Sequence, residues 1–226
     1  MVRTASLFEL ILFGALIAGA QEPAAAPSKW EKAIRAFEAE DAQAPPTGGS
    51  ALFVGSSTIR LWDLKQYFPG LPALNRGFGG SQMSDVNEFA GRIVLPYKPG
   101  VIVLYSGDND LASGKTPNAV FEEYKKFIAL VAEQLPETRV VVLGVKPSPA
   151  RWSLIEAQRV LNKMLREHIG GMNGAVFIDT ETPMLDETGR PRKEFFAPDE
   201  LHMSPQGYEL WTGLLRPHLP GGAASP

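Results

Sequence analysis

Four short polar clusters stand at the ends of apolar runs, and their residue types are those of nucleophilic chemistry. Ser56 and Ser57 follow the run Ala51-Leu52-Phe53-Val54-Gly55. Gly79 and Gly80 close a glycine-rich turn, Gly107-Asp108-Asn109-Asp110 follows a β-branched run, and Asp199 precedes His202 by three residues. A serine hydroxyl is a poor nucleophile until a base takes its proton, and a neutral imidazole suits that task near neutral pH. His202 is the candidate base, and Asp199 on the same short loop is within reach of its other ring nitrogen. Backbone N–H groups and a side-chain amide are what a developing oxyanion needs. Each residue also has a plainer role: either serine caps a helix, Gly79-Gly80 makes a turn, Asn109 and Asp110 cap, and Asp199 and His202 lie on the surface.

Elements that bring the four clusters together follow from periodicity. Strands are predicted at 51–54, 73–77, 101–105, 139–145 and 175–179, the third being continuous and β-branched and so placed at the centre of the sheet. Helices are predicted at 28–41, with Ser28 and Glu31 as a capping box, and after Ser57, then at 83–93, 117–134, 152–169 and 204–215. Segments 64–72, 107–110 and 180–198 read as loops, the last with a turn at 186–189. Strand and helix alternate, which argues for an α/β domain with a parallel sheet and right-handed crossovers. In such a sheet the loops at the carboxyl ends of the strands share one edge, where ligands bind.

Composition narrows the functional classes. The chain has 226 residues, enough for one sizeable core, and a net charge of −3 with no dense basic run, which gives no reason to expect nucleic acid. It lacks cysteine, so a disulfide framework, a thiolate metal site and a cysteine nucleophile are excluded. Asp85, Asp108, Asp110 and Glu181 show no ligand spacing, so no metal is expected, and no cofactor either, since the dinucleotide fingerprint is incomplete and the phosphate loop is missing. Trp62, Phe78, Trp152 and Phe195-Phe196 read as core in preference to a substrate groove. At the N-terminus, Arg3, a mostly apolar stretch over 7–18 and Ala18-Gly19-Ala20 resemble a signal peptide over 1–20, implying an exported, periplasmic or secreted chain with no stable membrane span after cleavage. A lead-in over 21–27, one domain over 28–219 and a tail over 220–226 complete the organisation.

In this order the clusters resemble the four blocks of the SGNH hydrolases, the GDSL esterases and lipases, and the overall pattern looks closest to bacterial esterases related to platelet-activating-factor acetylhydrolase subunits. Gly55-Ser56-Ser57 resembles the Gly-Asp-Ser block, with Ser56 where an aspartate is usual and Ser57 as the nucleophile. Asn75-Arg76-Gly77-Phe78-Gly79-Gly80 resembles the second block, whose last glycine offers its N–H to the oxyanion. Gly107-Asp108-Asn109-Asp110 matches Gly-x-Asn-Asp, making Asn109 the amide donor, and Asp199 with His202 matches Asp-x-x-His. The resemblance implies a three-layer α/β/α, flavodoxin-like fold with a five-stranded parallel sheet in the order 2-1-3-4-5. It also implies a serine esterase acting through an acyl-enzyme on a small-molecule or glycan ester, with short acyl groups as substrate, carbohydrate acetyl among those it permits. The oxyanion would then be met by the N–H groups of Ser57 and Gly80 and the Asn109 side chain. The alternatives are a binding module that keeps the fold with little catalysis, motivated by Ser56, and a thioesterase or lysophospholipase. Oligomeric state is not legible in the sequence.

Overall fold

The computed structural model describes residues 28–46 and 48–221. Expectations for the signal peptide and lead-in fall outside the described residues, as do all but the first two positions of the tail. Five strands form one parallel sheet: β1 Ala51–Gly55, β2 Ala73–Gly77, β3 Val101–Tyr105, β4 Arg139–Leu143 and β5 Ala175–Ile178, in the order β2-β1-β3-β4-β5. The expected order and three-layer form are therefore the observed ones.

Alternation along the strands builds the layers, because successive side chains leave a strand on opposite faces. Leu52, Val54, Ile102, Leu104, Val140 and Val142 point to one face. There they meet α1 Glu31–Gln43, α4 Met83–Ile93, α6 Pro117–Gln134 and α7 Ile155–Ile169 through Ile34, Phe89, Phe127 and Leu161. Phe53, Val103, Tyr105, Val141 and Leu143 point to the other face. They pack on Ile59 of the short α2 Ser57–Arg60 and Trp62 just past it, on Leu64 and Phe68 around α3 Leu64–Tyr67, and on Trp211 and Leu215 of α8 Pro205–Leu215. Burying each such side chain contributes about 1.5–3 kcal/mol.

Ladder register lines up the strand ends that matter. Gly55 pairs with Gly77 on one side and Tyr105 on the other. Its φ of +138° and the 1.8 Å that would separate a Cβ from the Tyr105 carbonyl oxygen leave room only for glycine.

Several segments differ from the sequence reading, among them the helix expected from 152, which begins at Ile155 behind a 3-10 stretch over Pro149–Leu154. Ser28 caps no helix: its hydroxyl accepts the Trp30 N–H, at 3.4 Å, α1 starts at Glu31 behind Trp30, and Glu31 is taken up by Arg35 and Arg92. The 64–72 loop contains α3, held by Asp63, whose Oδ1 accepts the Lys65 and Gln66 N–H groups. The polar loop at 107–110 is the entry to another short helix, α5 Asp108–Ala112. β4 stops at Leu143 because the Asn162 side chain takes both the N–H and the C=O of Val145 out of the ladder, at 2.7 and 2.9 Å.

Candidate active site

Ser57 is the first residue of α2, directly past the end of β1. Its neighbour Ser56 takes the N-cap position, yet its hydroxyl caps nothing; the Ser56 N–H donates to the Tyr105 carbonyl at 3.1 Å instead. The single turn of α2 is fixed from β2, where Asn75 Nδ2 donates to the carbonyls of Ile59 and Trp62 at 2.7 and 3.2 Å. Gly77 lets that strand come so close that a Cβ would stand 2.3 Å from the Arg60 nitrogen.

The partner of Ser57 comes from the other end of the chain. His202 Nε2 lies 3.1 Å from Ser57 Oγ, and His202 Nδ1 lies 2.6 Å from Asp199 Oδ2. The loop between Ala197 and His202 is tight: the Ala197 N–H donates to the His202 carbonyl at 2.8 Å, and Glu200 takes a left-handed φ of +56°. Asp199 Oδ1 accepts the N–H groups of Leu201 and His202 at 3.0 and 2.9 Å, so one carboxylate organises both the loop and the imidazole. Its bond to the His202 ring, followed by those two backbone donors, lowers the Asp199 carboxyl pKa to about 2. Hydroxyl, imidazole and carboxylate in series are the arrangement that turns a serine into a nucleophile.

Gly80 and Asn109 belong to segments tied to the end of β1 and to each other. The Gly55 carbonyl accepts both the Phe78 N–H, at 2.9 Å, and the Ser81 hydroxyl, at 3.3 Å. Asn109 Nδ2 donates to the Ser81 carbonyl at 2.9 Å, which joins the Gly80 loop, with Gly80 at φ +76°, to the start of α5. An amide NH₂ has two hydrogens, and this bond uses one. Asp110, the last residue of that cluster, is structural: its buried Oδ2 accepts the Met83 N–H at the start of α4, and its Oδ1 pairs with Lys115, each at 2.9 Å. Burial raises the Asp110 carboxyl pKa above its ordinary value in spite of Lys115.

Behind Asn109 lies a charged group that the sequence reading missed. Lys146, only 1% exposed, places Nζ 3.0 Å from Asp108 Oδ2 and 3.1 Å from the Tyr105 hydroxyl. Arg151 Nη1 stands 2.7 Å from Asp108 Oδ1 as an ion pair outside hydrogen-bond alignment, and Arg151 Nη2 donates to Asn109 Oδ1 at 3.1 Å. Burial works to raise the Asp108 carboxyl pKa, but Lys146 and then Arg151 outweigh it and hold it below its ordinary value. The available signal was position: a lysine three residues past β4, on the edge where the other site residues gather. Of the aromatics, Trp62, Phe78, Phe195 and Phe196 are buried in the core, whereas Trp152 is partly exposed under Arg190. Among the described residues, no three His, Asp or Glu side chains gather as metal ligands, and no helix is long and apolar enough to cross a membrane.

The family model of the GDSL-like lipase/acylhydrolase family matches residues 60–210, well over half of the chain. The chain belongs to this family. This GDSL-like, SGNH-type protein is accordingly a carboxylic ester hydrolase. The match takes in Gly80, Asn109, Asp199 and His202 and begins three residues beyond Ser57, which stands outside it. The GDSL-like chain is 28% identical to human platelet-activating factor acetylhydrolase IB subunit alpha1 over 213 residues, which cover 85% of this chain and 87% of that one. In fold it is similar to a GDSL-like lipase from Bacteroides thetaiotaomicron, with a TM-score of 0.71, 17% identity and coverage of 83% and 97%. It is also similar to a mutant of Axe2, an acetyl-xylooligosaccharide esterase from Geobacillus Stearmophilus, with a TM-score of 0.58, 16% identity and coverage of 76% and 94%.

Proposed function

We propose that this hydrolase is a serine esterase for short acyl esters, with Ser57 as nucleophile, His202 as base and Asp199 as the group that orients the base. The observation that carries the reading is the unbroken Ser57–His202–Asp199 chain, 3.1 and 2.6 Å per link. His202 Nε2 takes the hydroxyl proton as Ser57 Oγ attacks the ester carbonyl carbon. The negative oxygen is met by the N–H groups of Ser57 and Gly80 and by the second hydrogen of Asn109 Nδ2. The imidazolium returns its proton to the leaving alkoxide, which leaves an acyl-enzyme. A water molecule, deprotonated by His202, then releases the acid and frees Ser57.

Two observations favour a short acyl group. Four of the five aromatics that could have walled a long-chain groove are spent in the core, all but Trp152, and two similar proteins carry acetylhydrolase and acetyl-xylooligosaccharide esterase in their names. An acetyl ester on a carbohydrate or another small polar alcohol is the substrate class we favour. The N-terminal pattern adds export, with cleavage after Ala20, which N-terminal sequencing of the exported protein checks.

The decisive experiment is hydrolysis of p-nitrophenyl esters of increasing chain length by the chain from Gln21, beside Ser57→Ala, His202→Ala and Ser56→Ala. We expect loss of about 10³-fold or more in kcat for the first two, retained activity in Ser56→Ala, a maximum at acetate, and fluorophosphonate labelling of Ser57. Equal activity of wild type and Ser57→Ala would overturn the assignment. A maximum at long chains or at thioesters would replace the short-acyl reading by a lysophospholipase or a thioesterase.

A further inference from the structure

We infer that Arg151, braced by Asp108 and Lys146, is a positioning residue that fixes and polarises the Asn109 amide. The inference rests on the reading of Asn109 as an oxyanion donor. An amide is useful there only with its nitrogen end turned to the reacting centre, yet the terminal torsion of an asparagine is broad and roughly two-fold. Here the two ends are distinguished. Nδ2 faces the Ser81 carbonyl, and Oδ1 faces the Arg151 guanidinium, which carries only donors. A flipped amide would set oxygen against oxygen and N–H against N–H.

The second effect is electronic. A charged donor on Oδ1 draws electron density through the amide and makes the remaining Nδ2–H a stronger donor, the mutual strengthening expected of hydrogen bonds in series. The support behind Arg151 is built for this. Asp108 is buried and ion-paired on both oxygens, to Arg151 on one and Lys146 on the other, and Lys146 is anchored on the Tyr105 hydroxyl. Two cationic side chains thus share one carboxylate, and the surplus positive charge lies on the side of Asn109. The Arg151 side chain is 20% exposed, which keeps water from screening it fully.

The test combines kinetics with a spectrum of the amide itself. Arg151→Gln is expected to lower kcat for p-nitrophenyl acetate by about 10–100-fold, less than the about 10²–10³ of a whole lost donor. KM should stay within about two-fold, because the interaction strengthens in the transition state. Arg151→Lys, which keeps the charge and loses the fork, should recover part of the rate. In an Asn109→Ala background Arg151→Gln should cost less than about three-fold, since its route to the oxyanion has gone. The Asn109 side-chain NH₂ resonances, assigned by their loss in Asn109→Ala, should shift in Arg151→Gln and less in Arg151→Lys. Effects that multiply in the double variant, or Asn109 resonances unmoved by either Arg151 substitution, would overturn the inference. The resonances decide the matter even for a wild type that hydrolyses no ester and takes no fluorophosphonate, a result that would sink the esterase reading by itself. Should Arg151→Gln not fold, the Lys variant carries the same comparison.

Discussion

Asp199 does two jobs that can be separated by measurement. Its carboxyl pKa of about 2 in the folded chain lies below the free value of about 3.9, so its ionised form stabilises the fold above about pH 4, and that contribution fades as the pH falls through 2. The side chain is half exposed, and after discounting for solvent the stabilisation comes to under about 1 kcal/mol. Asp199→Asn should therefore change the melting temperature by only a few degrees at pH 7 and by less near pH 2, while lowering kcat by about 10²–10⁴-fold. Melts at the two pH values and rates at pH 7 check both parts; a large loss of stability with little loss of rate would make Asp199 a structural residue. That pair was legible in the sequence because Asp199 stands three positions before His202, and a short loop can close on itself. Lys146 and Arg151 were not, since they reach Asp108 and Asn109 across 38 and 42 residues, and only the packed sheet brings those segments together.

Elements long enough to show a full period were read in type and place, with α1, α7 and β4 differing at an end. α6 begins at Pro117, with Thr116 Oγ1 accepting the Ala119 N–H, and β3 is an unbroken β-branched run. The short helices α2, α3 and α5 escaped or were blurred because four or five residues do not complete a hydrophobic repeat. The capping box expected at Ser28 is not formed, whereas Ser204 caps α8, and the difference has an energetic signature. Ser204 accepts the Gly207 N–H at 3.1 Å at the start of α8, two residues past His202, so Ser204→Ala should cost about 1 kcal/mol. Ser28→Ala, which removes no helix cap, should cost under about 0.5 kcal/mol. Denaturant melts of the two variants should rank them in that order. Gly55→Ala sits at the opposite extreme: its Cβ would fall inside the Tyr105 carbonyl oxygen, and a loss above about 4 kcal/mol, or no folded protein at all, is expected. A Gly55→Ala protein that melts like wild type would mean that β1 and β3 can move apart at their carboxyl ends.

Across the whole molecule, the alternation of strand and helix announced a parallel sheet, whereas the order of its strands came from family likeness; nothing local in five similar apolar runs says which one is the neighbour of which. What the sheet accomplishes is to close a contact over 145 residues, from Ser57 after the first strand to His202 beyond the last. The chain between them passes through the exposed turn at Asp186–Gly189, where Asp186 holds the Thr188 N–H and no site residue lies. A protease site placed at that turn would leave Ser57, Asn109 and Arg151 on one piece and Asp199 and His202 on the other, joined by the buried Trp211 and Leu215 of α8. The nicked enzyme would then be a two-component assembly: active while its halves are together, silent on dilution below their dissociation constant, and reporting by turnover alone how tightly α8 grips the sheet.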